Sequence, residues 1–200
     1  MVLATGLSIL ASSAYAQSGS NARAEKRQNA MTAWHNDMAK FRARSEQNRQ
    51  LAELADSLAS IQAVAALQNR DFVFEADNVT FKNGMMNFVN SSTNFISVKG
   101  NRAVVQISPS DFASGPNGLG GVTVDGMISG LSVVKDKKGR TNLSMNVMGL
   151  GINAQIEIYM YPGTSRASAT VYPNFNSNTV WLEGTVVPYE NSDVIEGSSL

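Results

Sequence analysis

The chain has 200 residues, with 16 basic and 16 acidic side chains that cancel, one histidine and no cysteine. The lack of cysteine excludes disulfides, thiolate metal sites, a cysteine nucleophile and the acylated cysteine of a bacterial lipoprotein. Balanced charge removes the strong positive field that nucleic-acid binding requires, and a lone histidine forms neither a His-rich metal site nor a His-x-x-x-His pair.

Residues 1–16 are uncharged, mostly apolar or small, and end in Ala14-Tyr15-Ala16, the small-x-small pattern cut by a signal peptidase. They are expected to be a signal peptide cleaved after Ala16, leaving a soluble periplasmic or secreted protein that begins at Gln17. The segment opens Met1-Val2-Leu3 without Lys or Arg, which points to a start placed downstream of the true one. A short buried helix is the competing reading of these residues. No later apolar run approaches the ~20 residues needed to span a bilayer.

Residues 17–48 are expected to comprise a flexible lead-in, 17–21, and an N-terminal helical segment. From 22 to 69 there is no glycine or proline, while Ala, Gln, Glu, Arg, Met and Leu dominate, which predicts helix. Met31, Trp34, Met38 and Phe41 form one apolar stripe, and Leu51, Leu54, Leu58, Ile61 and Ala65 form another. At 100° per residue the stripes centre roughly 160° apart, so the helix either breaks near 45–48 or packs its halves on different partners. The half at 51–67 is expected to lie on the β-domain, leaving the Met31, Trp34, Met38 and Phe41 stripe for another chain, another protein or only a loop. The basic run Lys40, Arg42, Arg44 and Arg49 is interleaved with Glu46 and followed by Glu53, and reads as a solvated helix face.

After Asp71 the period changes to two. Strands are predicted at 72–81, 94–98, 102–108, 122–134, 141–148, 152–161, 167–172 and 179–187, divided by turn signals such as Asn83-Gly84 and Gly100-Asn101 and by the 135–139 hairpin loop. Glycines 126 and 130 suggest a bulge or sharp bend. The fold class is mainly β with an N-terminal helix (α+β). About eight strands form an antiparallel meander, either a barrel or a strongly curved open sheet, with its apolar face covered by the helix. A single β-domain with its packing helix is expected over 49–188, followed by a flexible tail at 189–200.

Phe72-Val73-Phe74-Glu75-Ala76-Asp77, then Asn101 to Ile107, then Gly115-Pro116-Asn117-Gly118-Leu119-Gly120-Gly121 leading into residues 122–126, resemble the exported domain-of-unknown-function family 4251. The resemblance runs from about residue 52 to 188 and includes the Lys-Asp-Lys-Lys-Gly hairpin; its most specific piece is the glycine-rich segment. It implies an exported, β-rich domain of Gram-negative gut bacteria with no assigned reaction or site residues.

Residues 115–121 lack the lysine and following helix of a phosphate-binding loop and read as a loop whose glycines supply positive φ. A Ser-His-Asp triad through His35 would need a histidine from the helical segment held over the β-domain; a solvent-facing or helix-packing histidine is the simpler reading. Glu157 and Glu183 share the polar parity of their strands. With one strand between them they stand about 9.6 Å apart, near the wide end of the spacing in inverting glycosidases. Around them Tyr159, Tyr161, Tyr172 and Trp181 also take the polar parity, among Asn153 and Gln155. Flat rings among amides and carboxylates suit a sugar or peptide, and they are also ordinary half-buried strand residues.

The chain therefore reads as a non-enzymatic periplasmic β-domain that binds a ligand or partner in cell-envelope physiology: a small molecule, a glycan or an envelope protein. Glu157, Tyr159, Tyr161, Tyr172 and Trp181 are the candidate ligand-binding residues, with no catalytic residue, metal or cofactor. Three alternatives stand beside it: an assembly module acting through the N-terminal helix, an apolar-ligand carrier like the half-barrel lipoprotein chaperones, and a glycoside hydrolase using Glu157 and Glu183.

Overall fold

The computed structural model describes residues 7–108, 121–149, 153–174 and 179–197, with side chains from residue 21 onward. The chain divides into two compact units, Met1–Ala52 and Glu53–Leu200.

Helix α1 spans Leu7–Asn69 without interruption, so residues 17–21 are helical and no break occurs at 45–48. Glu46 Oε1 accepts bonds from Arg49 Nη2 at 3.0 Å and Gln50 Nε2 at 3.2 Å, tying turns together where the break was expected. In the first unit Met31, Trp34, Phe41 and Leu51 are exposed and Met38 is partly covered. His35 packs edge-on against Trp34, with ring centroids 5.0 Å apart.

The second unit corrects the expected helix packing. Leu54, Leu58 and Ile61 are exposed, Leu58 by 62%. Only the last two turns enter the core, where Ala63, Ala66 and Leu67 are buried. The reason is closure: a sheet that pairs its own edges hides its apolar face, so the helix needs only to plug the end where β1 begins. Arg70, in the left-handed region at φ 56°, turns the chain from helix to sheet.

Among the described residues nine antiparallel strands follow: β1 (Asp71–Phe81), β2 (Met86–Phe88), β3 (Phe95–Lys99), β4 (Arg102–Ile107), β5 (Val122–Lys135), β6 (Thr141–Gly149), β7 (Asn153–Met160), β8 (Arg166–Pro173) and β9 (Val180–Pro188). Each pairs with the next along the chain from β3 to β9, β1 pairs with β3, and β1 also pairs with β9. These eight strands close a barrel, which decides between the two expected architectures. The short β2 returns from the Asn83-Gly84 turn and pairs with β1 at Asn78, Val79 and Thr80.

Burial alternates along β6 to β9, where every second side chain points inward, while β1, β3 and β4 bury both faces. Phe72, Phe74, Ile96, Leu143, Met145, Ile156, Ile158 and Leu182 fill the interior and are almost wholly buried. On β5 the register shifts between Ser129 and Ser132, with Gly130 at φ 63°, as a bulge requires. Gly126 is different: pairing runs regularly through it, and a Cβ there would stand 2.5 Å from Met148 O, so it permits a close approach of strands.

A smaller apolar cluster lies outside the barrel. Outward-facing Val73, Phe95 and Val104 are buried beneath Val187, Tyr189 and Val194. The segment expected to be a flexible tail is held here. After a 3-10 turn at Tyr189–Asn191 the chain is extended at Ser192, and Ile195 N–H donates to Ser92 O at 2.8 Å. Strands apolar on both faces need covers on both sides, and this tail is the second cover.

Candidate functional site

Register decides which outward side chains stand together. One row crosses the barrel through Ser144, Glu157, Thr170, Trp181, Thr80 and Met86. The next passes through Asn142, Tyr159, Ser168, Glu183, Asn78 and Phe88. Tyr172 stands opposite Gln155 beside the first row, and Tyr161 meets Arg166 beside the second. All five candidate residues, Glu157, Tyr159, Tyr161, Tyr172 and Trp181, thus share one flank.

That flank extends further than the sequence reading placed it. Phe88 is 83% exposed, Met86 59% and Trp181 43%, while Tyr159, Tyr161 and Tyr172 are exposed to a similar degree as Trp181. Met86 and Phe88 were missed because residues 85–88 are too short a run to stand out as a strand. Their signal was the hairpin turn just before them, which requires a return strand with alternate side chains on the same face.

The carboxylates are held by phenols. Glu157 Oε1 accepts from Gln155 Nε2 at 3.1 Å, and its Oε2 accepts from Tyr159 OH at 3.3 Å. Glu183 Oε2 accepts from Tyr161 OH at 3.4 Å. The negative charge of Glu157, then burial, raises the Tyr159 phenol above its ordinary value. The register places Glu183 opposite Ser168, whose other neighbour is Tyr159, so it is not straight across from Glu157. The two carboxylates are offset by about 6.7 Å along the strands as well as about 9.6 Å across them, a diagonal of ~12 Å between their backbones.

Glu183 stands at a built irregularity. β1 bulges between Ala76 and Asn78, so Asp77 is an extra residue beside the Asn78 and Glu183 pair, and Asp77 makes an ion pair with Arg166 Nη1. Gly184 makes room for the bulge: a Cβ on it would lie 1.9 Å from Glu75 O. Burial raises the Glu183 carboxyl above its ordinary 4.5, overcoming the lowering by the Tyr161 hydrogen bond and the Arg166 charge.

A carboxyl whose folded pKa is raised binds its proton more tightly in the fold, so ionised Glu183 opposes folding. This contribution is absent below the unfolded pKa, grows as pH rises from the unfolded value to the folded one, and is complete above it. Urea unfolding of Glu183→Gln should therefore match wild type in acid and show a higher midpoint toward neutral pH; a midpoint difference that shrinks as pH rises contradicts the assignment.

Among the described residues no group of three or more His, Cys, Asp or Glu side chains is placed to hold a metal ion, and no helix is long and apolar enough to cross a membrane. The glycine-rich residues 115–120 and Ile152 lie outside the described residues, while Gly121 packs so closely that a Cβ would lie 2.0 Å from Ile107 O.

The architecture is that of a closed, eight-stranded antiparallel barrel with a helical plug and one open aromatic flank. The chain belongs to the DUF4251 family, a domain of unknown function, whose model matches residues 55–186. It is similar to a DUF4251 family protein from Bacteroides eggerthii DSM 20697, known from its crystal structure, at 44% identity with a TM-score of 0.61. That match covers 70% of this chain and 95% of the other. No curated protein matches the chain.

Proposed function

We propose that this protein is a non-enzymatic binding domain of the cell envelope whose open flank, across β7, β8, β9, β1 and β2, takes up an extended glycan. The observation that carries the reading is the two rows of exposed rings and apolar tips, from Tyr159 and Tyr172 through Trp181 to Met86 and Phe88, interleaved with Gln155, Glu157, Asn78 and Glu183. Rings stack on the apolar faces of sugars while amides and carboxylates bond hydroxyls. A convex flank suits a chain laid across it better than a small molecule enclosed by it. The barrel interior is filled by apolar side chains that solvent hardly reaches, which favours the outer flank over an apolar-ligand site within.

Export rests on the uncharged residues 1–16 and their Ala14-Tyr15-Ala16 ending. Hydrolysis by Glu157 and Glu183 is the weaker reading, because the register sets the two residues diagonally rather than face to face and each carboxylate is bonded to its own tyrosine. A second binding reading, an assembly module on α1, is supported by the exposure of Met31, Trp34 and Phe41.

The chain has two tryptophans, so Trp34→Phe leaves Trp181 as the only indole reporter. Titration of that variant with neutral oligosaccharides of graded length should shift Trp181 emission saturably, and Tyr172→Ala or Phe88→Ala should each weaken binding by about tenfold. If no oligosaccharide of a broad panel shifts Trp181 emission, the reading fails.

A further inference from the structure

The outer groove over β1, β3 and β4 is built around a polar group that no strand pairing requires. Gln106 faces outward yet is wholly buried. Its Nε2 donates to Thr93 O at 3.0 Å and to Ile195 O at 2.9 Å, and its Oε1 accepts from Thr123 Oγ1 at 3.0 Å and Gly197 N–H at 2.7 Å. One side chain thus grips the tail backbone at two residues, as a neighbouring strand would. Beside it Val194 packs on Val73, Phe95 and Val104. Arg102, held by both carboxylate oxygens of Asp125 at 2.8 Å, reaches Glu196 at 3.3 Å. Ser192 Oγ donates to Glu75 Oε1 at 2.5 Å.

We propose that this groove is a strand-acceptor site for an extended peptide with a small β-branched residue and, two positions on, an acidic one, and that its occupant in trans is the C-terminal segment of a second copy. Recognition is of three kinds: backbone by Gln106, apolar by the Val194 seat, and charge by Arg102. All three are met equally by the same segment of another chain, so the covalent tether alone favours the chain's own tail. A tether of this kind acts as an effective concentration in the millimolar range, about the strength expected of so short a segment's own contacts. Residues 192–197 form no regular ladder and Ile195 is exposed, which places the segment among the first parts of the domain to open. Opening uncovers a buried amide and three apolar side chains that are best covered again by an identical strand.

The test uses the full chain carrying Val194→Asp, which places a charge in the apolar seat and releases the tail. A fluorescent peptide of residues 189–197 should bind this variant saturably. It should bind wild type at least about tenfold more weakly, because the resident tail competes. Adding Gln106→Leu to the variant should abolish binding while keeping side-chain volume. A folded Val194→Asp chain that ignores the peptide, or a Gln106→Leu double variant that binds it equally well, overturns the proposal. A separate reading needs no variant: in wild type the Ile195 and Gly197 amides should exchange with deuterium before those of β6 and β7. Exchange only through global unfolding would also overturn it.

Discussion

Gly184→Ala is expected to lower the thermal unfolding midpoint by roughly 10 °C, the consequence of about 3 kcal/mol or more of enforced strain in a domain of this size. The inward Cβ would meet Glu75 O at 1.9 Å and the Glu75 carbonyl carbon at 2.8 Å, both backbone atoms of the bulged partner strand. Neither can rotate aside as a side-chain tip would. Relief requires β1 and β9 to part, and that seam closes the barrel. Gly163→Ala is the matched control. It has positive φ but no atom within 4 Å of a new Cβ, so it carries only backbone strain of about 1 kcal/mol. Equal losses in the two variants would contradict the role given to the bulge.

Phe74→Ala should cost about 3–5 kcal/mol, because it removes a wholly buried ring from the barrel interior and leaves a space the closed sheet cannot collapse. Phe88→Ala makes the same chemical change on the open flank. It should alter stability by no more than about 0.5 kcal/mol while weakening glycan binding. Urea denaturation separates the two: a shifted midpoint for Phe74→Ala and an unchanged one for Phe88→Ala. A large loss of stability in Phe88→Ala would mean that its ring serves the fold.

The contrast between those two phenylalanines also shows what the sequence made legible. In residues 153–160 alternation separates Ala154, Ile156, Ile158 and Met160 from Gln155, Glu157 and Tyr159, and burial follows that parity without exception. Periodicity therefore located five residues of the flank, because a strand with one wet face announces which face it is. It did not give their partners. Register depends on the turns and on the bulge at Asp77, and these set Glu183 diagonal to Glu157 and brought Met86 and Phe88 alongside Trp181. The cover made by Tyr189 and Val194 was missed for a related reason. Val73, Phe95 and Val104 break alternation in β1, β3 and β4, a sign that the outer face there is covered too. The helix was misread because an apolar stripe reports a face that gains from burial, without saying whether this chain buries it. Closure of the barrel removed the expected partner of Leu54, Leu58 and Ile61.

The central claim is that the open flank, rather than the barrel interior or α1, is the binding surface. Amide chemical-shift mapping of the isotope-labelled full chain, titrated with the tightest-binding oligosaccharide, tests it most directly. The account predicts perturbations confined to β7, β8, β9 and the β1–β2 hairpin, strongest at Tyr172, Trp181 and Phe88. Perturbations centred on the Met31 to Phe41 stripe, or on inward residues such as Ile156 and Leu182, would contradict it.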